Sequence, residues 1–269
     1  MKSIKSLAIL IMSSALIIAC SNSGNKNKAA TAEIDEVSVA QIIEDLENIP
    51  TPTTVELMEM INNLGLTYLY DVTNSLANQE SYLSTKQKAL NLGVYAADLS
   101  YDVAYQKKAE TEDYLRCILT MASDLNISID ADKISKQFET SIDNVDGLNT
   151  VLKDMLKESQ YILNQTSQTE TALLFLIGSW VESAYICVSA SDLAANNMDF
   201  LKVALSHFEY AETILKYIES RKDNSDFSAF YNDLTEIMKQ VEVYRDDINN
   251  SEKFDGVANI VKKMRNGII

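Results

Sequence analysis

Two prolines, Pro50 and Pro52, and seven glycines are all that this 269-residue chain contains. A sheet protein needs denser turn punctuation than that, so long helices are the expectation. One histidine, His207, leaves no metal site of the usual nitrogen-rich kind, and no Glu-x-x-His pair stands ready for a dinuclear centre. Asp130-Ala-Asp132 lacks the glycine and closing glutamate of a calcium loop. Neither metal nor cofactor is implied. Basic residues are also scarce: 23 Lys and Arg stand against 39 Asp and Glu, a formal charge of −16. Nucleic acid and anionic lipid surfaces would both be repelled.

What is present begins with an address. Lys2 and Lys5 precede an apolar run from Leu7 to Ala19, too short to cross a bilayer and proportioned like the core of a signal peptide. The run ends Ile17-Ile18-Ala19-Cys20, which resembles the lipobox of bacterial lipoproteins. That resemblance implies cleavage before Cys20 and acylation of its thiol and amine, enough chains for stable anchoring in a lipid bilayer. Ser21 stands where inner-membrane lipoproteins of many Gram-negative bacteria have aspartate, so the resemblance points to the outer membrane, facing the periplasm. Residues 1–19 read as the signal peptide and 20–35 as lipidated cysteine and flexible tether. Without the leader the balance is 21 basic to 39 acidic residues, a charge of −18.

Residues 36–269 read as one all-α domain of about eight to nine helices, an antiparallel bundle or irregular array. A short acidic helix over 36–47 ends at Pro50-Thr51-Pro52, and Thr53-x-x-Glu56 is a capping-box pattern. Helices are expected at 54–78, 84–106, 109–126, 131–142, 147–165, 169–194, 199–221, 226–246 and 252–266, with Asp130 and Asp199 as N-caps. An internal echo supports this layout. LGVYAADLSY (92–101) resembles IGSWVESAY (177–185), and DYLRCIL (113–119) resembles DFLKVAL (199–205). Two related units of about 85 residues, about 54–142 and 143–222, are the natural reading, followed by C-terminal helices over 226–266.

The echoed helices are apolar on nearly every face, yet each carries an acid. Val94, Asp98, Tyr101 and Tyr105 share one helical stripe; Gly178, Glu182, Tyr185 and Ser189 share its counterpart. Helices apolar all round belong at a bundle's centre, where a carboxyl's pKa rises unless a donor or cation compensates. Two readings stay open. One is a pocket where Asp98 faces Glu182 and Tyr101, Tyr105 and Tyr185 orient a ligand; the other is a satisfied polar network that fixes helix register. Gly65, Gly93 and Gly178 inside helical patterns suit close helix approach. Lys262, Lys263 and Arg265 suit the negative end of a helix dipole. His207 reads as a packed or half-exposed helix residue. Cys117 and Cys187 sit within apolar helical patterns, leaving a disulfide between them or two separate buried thiols.

The stretch KALNLGVYAADLSYDVAY (88–105), preceded by PTPTTVELMEMI (50–61), resembles a group of helical lipoproteins from Bacteroidota. It implies an exported helical lipoprotein and names no activity. Gly93-Val94-Tyr95-Ala96-Ala97-Asp98 is also similar in spacing to the Gly-x-His-x-x-Glu motif of imelysin-like periplasmic proteins, which are two-unit helical bundles. Tyrosine replaces the histidine here, which removes the residue best suited to touch metal. The resulting expectation is a non-enzymatic, membrane-anchored binding or scaffold module for a protein or small-molecule partner. The alternative is a ligand- or metal-binding protein or enzyme using Asp98 and Glu182.

Overall fold

The computed structural model describes Gln41 and residues 53–194, 197–246 and 251–269. The segments expected to be signal peptide and tether, Cys20, and the helix expected over 36–47 lie outside the described residues, Gln41 apart. Among the described residues the chain is all α-helical, with no strand. Ten α-helices follow in order: α1 (Thr54–Asn63), α2 (Thr85–Ala104), α3 (Lys108–Asp124), α4 (Ala131–Ser141), α5 (Val145–Gln165), α6 (Thr169–Ala194), α7 (Met198–Glu209), α8 (Ala211–Ile218), α9 (Ser228–Asp246) and α10 (Ser251–Asn266). Short 3-10 turns occupy Leu76–Ser81 and Glu219–Arg221.

The helix starts follow from side chains that satisfy free backbone donors. Thr53 and Glu56 form a complete capping box before α1, and Ser84 with Gln87 forms another before α2. Asp130 caps α4 through the Lys133 amide. Asn197, not Asp199, caps α7, because its extended backbone lets its side chain accept from both the Asp199 and Phe200 amides. Asp199 instead sits in the first turn, where its charge favours the helix dipole.

The shortage of glycine is met at three corners by other residues. Gln106, Asn126 and Ser167 take positive φ of 56°, 59° and 54° after α2, α3 and α5. At each, the next amide bonds back five residues: Lys107 to Asp102 O, Ile127 to Ala122 O, Gln168 to Leu163 O. These are Schellman ends, which turn the chain tightly at a cost of roughly 1–2 kcal/mol of left-handed backbone in a non-glycine residue.

Two expected helices differ. The helix expected over 54–78 stops at Asn63, with Gly65 at φ 76° two residues later. The backbone from 64 to 75 is irregular because side chains of α2, α3 and α10 take its hydrogen bonds. The helix expected over 199–221 breaks at Tyr210 into α7 and α8, which accounts for the extra helix.

Helix α6 is long and apolar enough from Thr169 to Ser191 to cross a membrane, but in this fold it is the core helix. It packs against α1, α2, α5, α7, α8 and α10, within a compact unit spanning 35–269. Its closest partner is α2, and glycines set that approach. A Cβ on Gly93 would stand 2.1 Å from Phe175 O, and one on Gly178 would stand 1.9 Å from Leu90 O. Leu90 precedes Gly93 by three residues as Phe175 precedes Gly178, so the two contacts are reciprocal. The echoed segments meet across a local two-fold relation.

Candidate functional site

Past the glycine contact, the two echoed helices bring their acids together. Asp98 and Glu182 are wholly buried and close enough for the charge of Glu182 to act on Asp98. Asp98 Oδ2 accepts from the Asn74 amide at 3.0 Å. Glu182 receives a two-pronged contact from Arg265 of α10, Nε to Oε2 at 2.7 Å and Nη2 to Oε1 at 2.9 Å. Nη2 also donates to Val72 O at 3.0 Å, and the guanidinium lies 4.0 Å from the centre of the Tyr185 ring. Arg265 lies in the last turn of α10, as expected, but it does more than face the helix dipole. It is the buried counter-charge of the acid pair.

Protonation follows from this geometry. Burial pushes Asp98 well above the usual carboxylate range, and the Glu182 charge pushes it further; the Asn74 amide and Arg265 oppose. Burial also raises Glu182, with Arg265 pulling it back. Burial lowers Arg265, but the Glu182 contact more than offsets this and raises it. Asp98 is thus the acid of the pair that keeps a proton, Glu182 is the one ionised against Arg265, and Asp98 Oδ1 is buried with no hydrogen-bond partner. One proton and one cation close the cluster.

The tyrosines divide between two places. Tyr185 stays with the cluster, under Arg265. Tyr101 and Tyr105 do not face the acid pair. They fasten the irregular segment: Tyr101 Oη accepts from the Leu69 amide at 2.8 Å and Tyr105 Oη donates to Leu66 O at 2.9 Å. Tyr95 donates to Ser75 O and Tyr114 to Asn74 O. Asn91 donates to Ile268 O, so the chain end is fastened to α2 as well. The reason is spacing. Stripe membership set Tyr101 one turn beyond Asp98, and in the tertiary fold that turn looks at the 64–75 backbone rather than at α6.

The second acid of the motif, Asp102, is also wholly buried and accepts from the Tyr68 hydroxyl at 2.8 Å. Burial raises its pKa to about 7, against the Tyr68 bond. His207 is buried too, with Nε2 2.9 Å from Ser183 Oγ. This pair has the spacing of a nucleophile and base, and the sequence reading overlooked Ser183. The chemistry runs the other way, however. Ser183 donates its proton to the Ser179 and Trp180 carbonyls, and His207 Nδ1 has no acid to orient it. Burial lowers His207 to about 4.

These two groups oppose each other in stability. Folded Asp102 keeps its proton up to about 7 whereas the unfolded carboxyl releases it near 3.8, so its stabilisation is lost as pH rises through that window. Unfolded His207 binds a proton below 6.5 and the folded residue only near 4, so its contribution is lost as pH falls. Each spans on the order of 3–4 kcal/mol. Urea unfolding between pH 4 and 7 should therefore show Asp102→Asn gaining stability with rising pH more steeply than wild type, and His207→Gln losing it.

Cys117 and Cys187 are separate buried free thiols, not a disulfide. Each is enclosed within its own helix, Cys117 on α3 beside Met121 and Cys187 on α6, and burial pushes both up to about 12. No group of three potential metal ligands occurs among the described residues. A cavity of about 270 Å³ lies at the ends of α1 and α2, lined by Glu59, Asn62, Ala104, Gln106 and Asp146 among others, away from the acid cluster.

No family model, curated protein or solved structure matches this chain.

Proposed function

We propose that this chain is exported, acylated at Cys20 and held at the outer membrane, where its helical domain acts as a non-enzymatic binding or scaffold module. The observation that carries this reading is the closure of the acid cluster. Glu182 and Arg265 spend their hydrogen bonds on each other and on Val72, and Asp98 accepts from Asn74, with both acids shut from water. An acid pair in that state ties three helices and an irregular segment together, and has no face left for substrate. The anchor rests on the lipobox-like Ile17-Ile18-Ala19-Cys20.

The test pairs two variants. Labelled palmitate should enter the wild-type protein and not Cys20→Ala. Asp98→Asn should cost less than about 1 kcal/mol, since the neutral amide fits the same space and accepts from Asn74 as the protonated acid does. Its partners crosslinked in cells should match those of wild type. Turnover of an ester, peptide or glycoside that Asp98→Asn abolishes in a folded protein would overturn the reading.

A further inference from the structure

One turn along α2 from the acid pair, Tyr68 is held from three directions. Its hydroxyl donates to Asp102, one face stacks on Tyr101 at 4.9 Å and 16°, and Tyr105 meets it at 5.4 Å. Tyr70 stands nearly perpendicular to it, 5.0 Å away at 85°, and is 73% exposed. Into this right-angled corner reaches the Lys107 ammonium, 4.4 Å from the Tyr68 ring centre and 4.8 Å from that of Tyr70. Beneath the corner, Asp102 Oδ2 is buried without a partner.

We propose that Tyr68 and Tyr70, backed by Asp102, form a receptor for an alkylammonium head group, and that Lys107 is its resident stand-in. The corner supplies what such a cation needs: two ring faces, an open side at Tyr70, and the Asp102 carboxyl, which a bound cation would favour in its ionised form. Lys107 is a weak occupant. Its one polar contact in the corner is a long 3.4 Å approach to the Tyr70 hydroxyl, and among the described residues no carboxylate pairs with it. A primary ammonium also sheds tightly held water to enter, on a stem with four rotatable bonds that must be ordered. A methylated ammonium carries less hydration and displaces it with a net gain. The chain's charge of −16 raises the local concentration of any such cation. This names a ligand chemistry for the binding-module reading, and its test reads the corner alone, independent of Cys20 and of the acid cluster.

The probe is tetramethylammonium chloride, titrated into the folded protein while the Tyr68 and Tyr70 ring signals are followed by NMR. Sodium chloride at equal ionic strength and tert-butanol, similar in size and uncharged, are the controls. Saturable ring shifts are expected, about three- to five-fold tighter in Lys107→Gln, which empties the corner, and lost in Tyr70→Leu. Tyr70 is exposed enough for that change to leave the fold intact. Vesicles displaying trimethylammonium head groups identify the source: capture that depends on Tyr70 assigns a lipid ligand, and binding of the free ion alone assigns a soluble one. Shifts that fail to saturate, that tert-butanol reproduces, or that Lys107→Gln leaves unchanged overturn the proposal. So does vesicle capture that survives Tyr70→Leu.

Discussion

Gly178→Ala is expected to destabilise the protein by about 3 kcal/mol or more, although alanine is the better helix former by roughly 1 kcal/mol. The added Cβ would stand 1.9 Å from Leu90 O, a backbone atom that moves only with α2 itself. Helices α2 and α6 would have to part along their length, and their separation would loosen the acid pair that lies one turn beyond. Gly256→Ala is the control. Its Cβ meets the end of the Gln240 side chain, which can swing away, so the helix-propensity gain should survive. Thermal unfolding of both variants gives the comparison. Equal, small effects would mean that the α2–α6 approach is looser than the glycines require.

Arg265→Ala is expected to cost about 3–5 kcal/mol, because it strands the Glu182 charge in a wholly buried site. The loss comes chiefly from the abandoned partner, so it should shrink when Glu182 is neutralised as well. A double-mutant cycle with Glu182→Gln would show strong coupling, with the double variant more stable than the Arg265→Ala single variant. Strict additivity would mean that Arg265 acts through its contacts with Val72 and Tyr185 rather than through the acid. Denaturant unfolding at constant pH measures either outcome. Proteolysis offers a second readout, since α10 and the 64–75 segment share this arginine and should loosen together.

Most of the helical layout is legible in the chain because its signals are local. Thr53, Ser84 and Asp130 cap helices through amides three residues away, within reach of a side chain whatever the rest of the fold does. The echo between 92–101 and 177–185 also carried spatial information. Paired segments of one pattern, each with a glycine and an acid at matched positions, meet glycine to backbone and acid to acid. In the largest departure from expectation, the deciding partners were remote. The helix expected over 54–78 has acceptable propensity throughout, yet its second half gives its hydrogen bonds to Tyr101, Tyr105, Tyr114, Asp98 and Arg265. No window of local sequence contains those groups.

Two kinds of fact therefore separate. Composition, periodicity and capping determined an all-α protein with two apolar, acid-bearing helices at its centre, because each rests on contacts within a turn or two. Whether those acids are a working pair or a closed pin was decided only by tertiary structure. Burial gives each carboxyl a strong demand for a proton or a cation, and which of the two it receives depends on what folds against it. Arg265, 83 residues beyond Glu182, supplies the cation, and Asp98 keeps the proton.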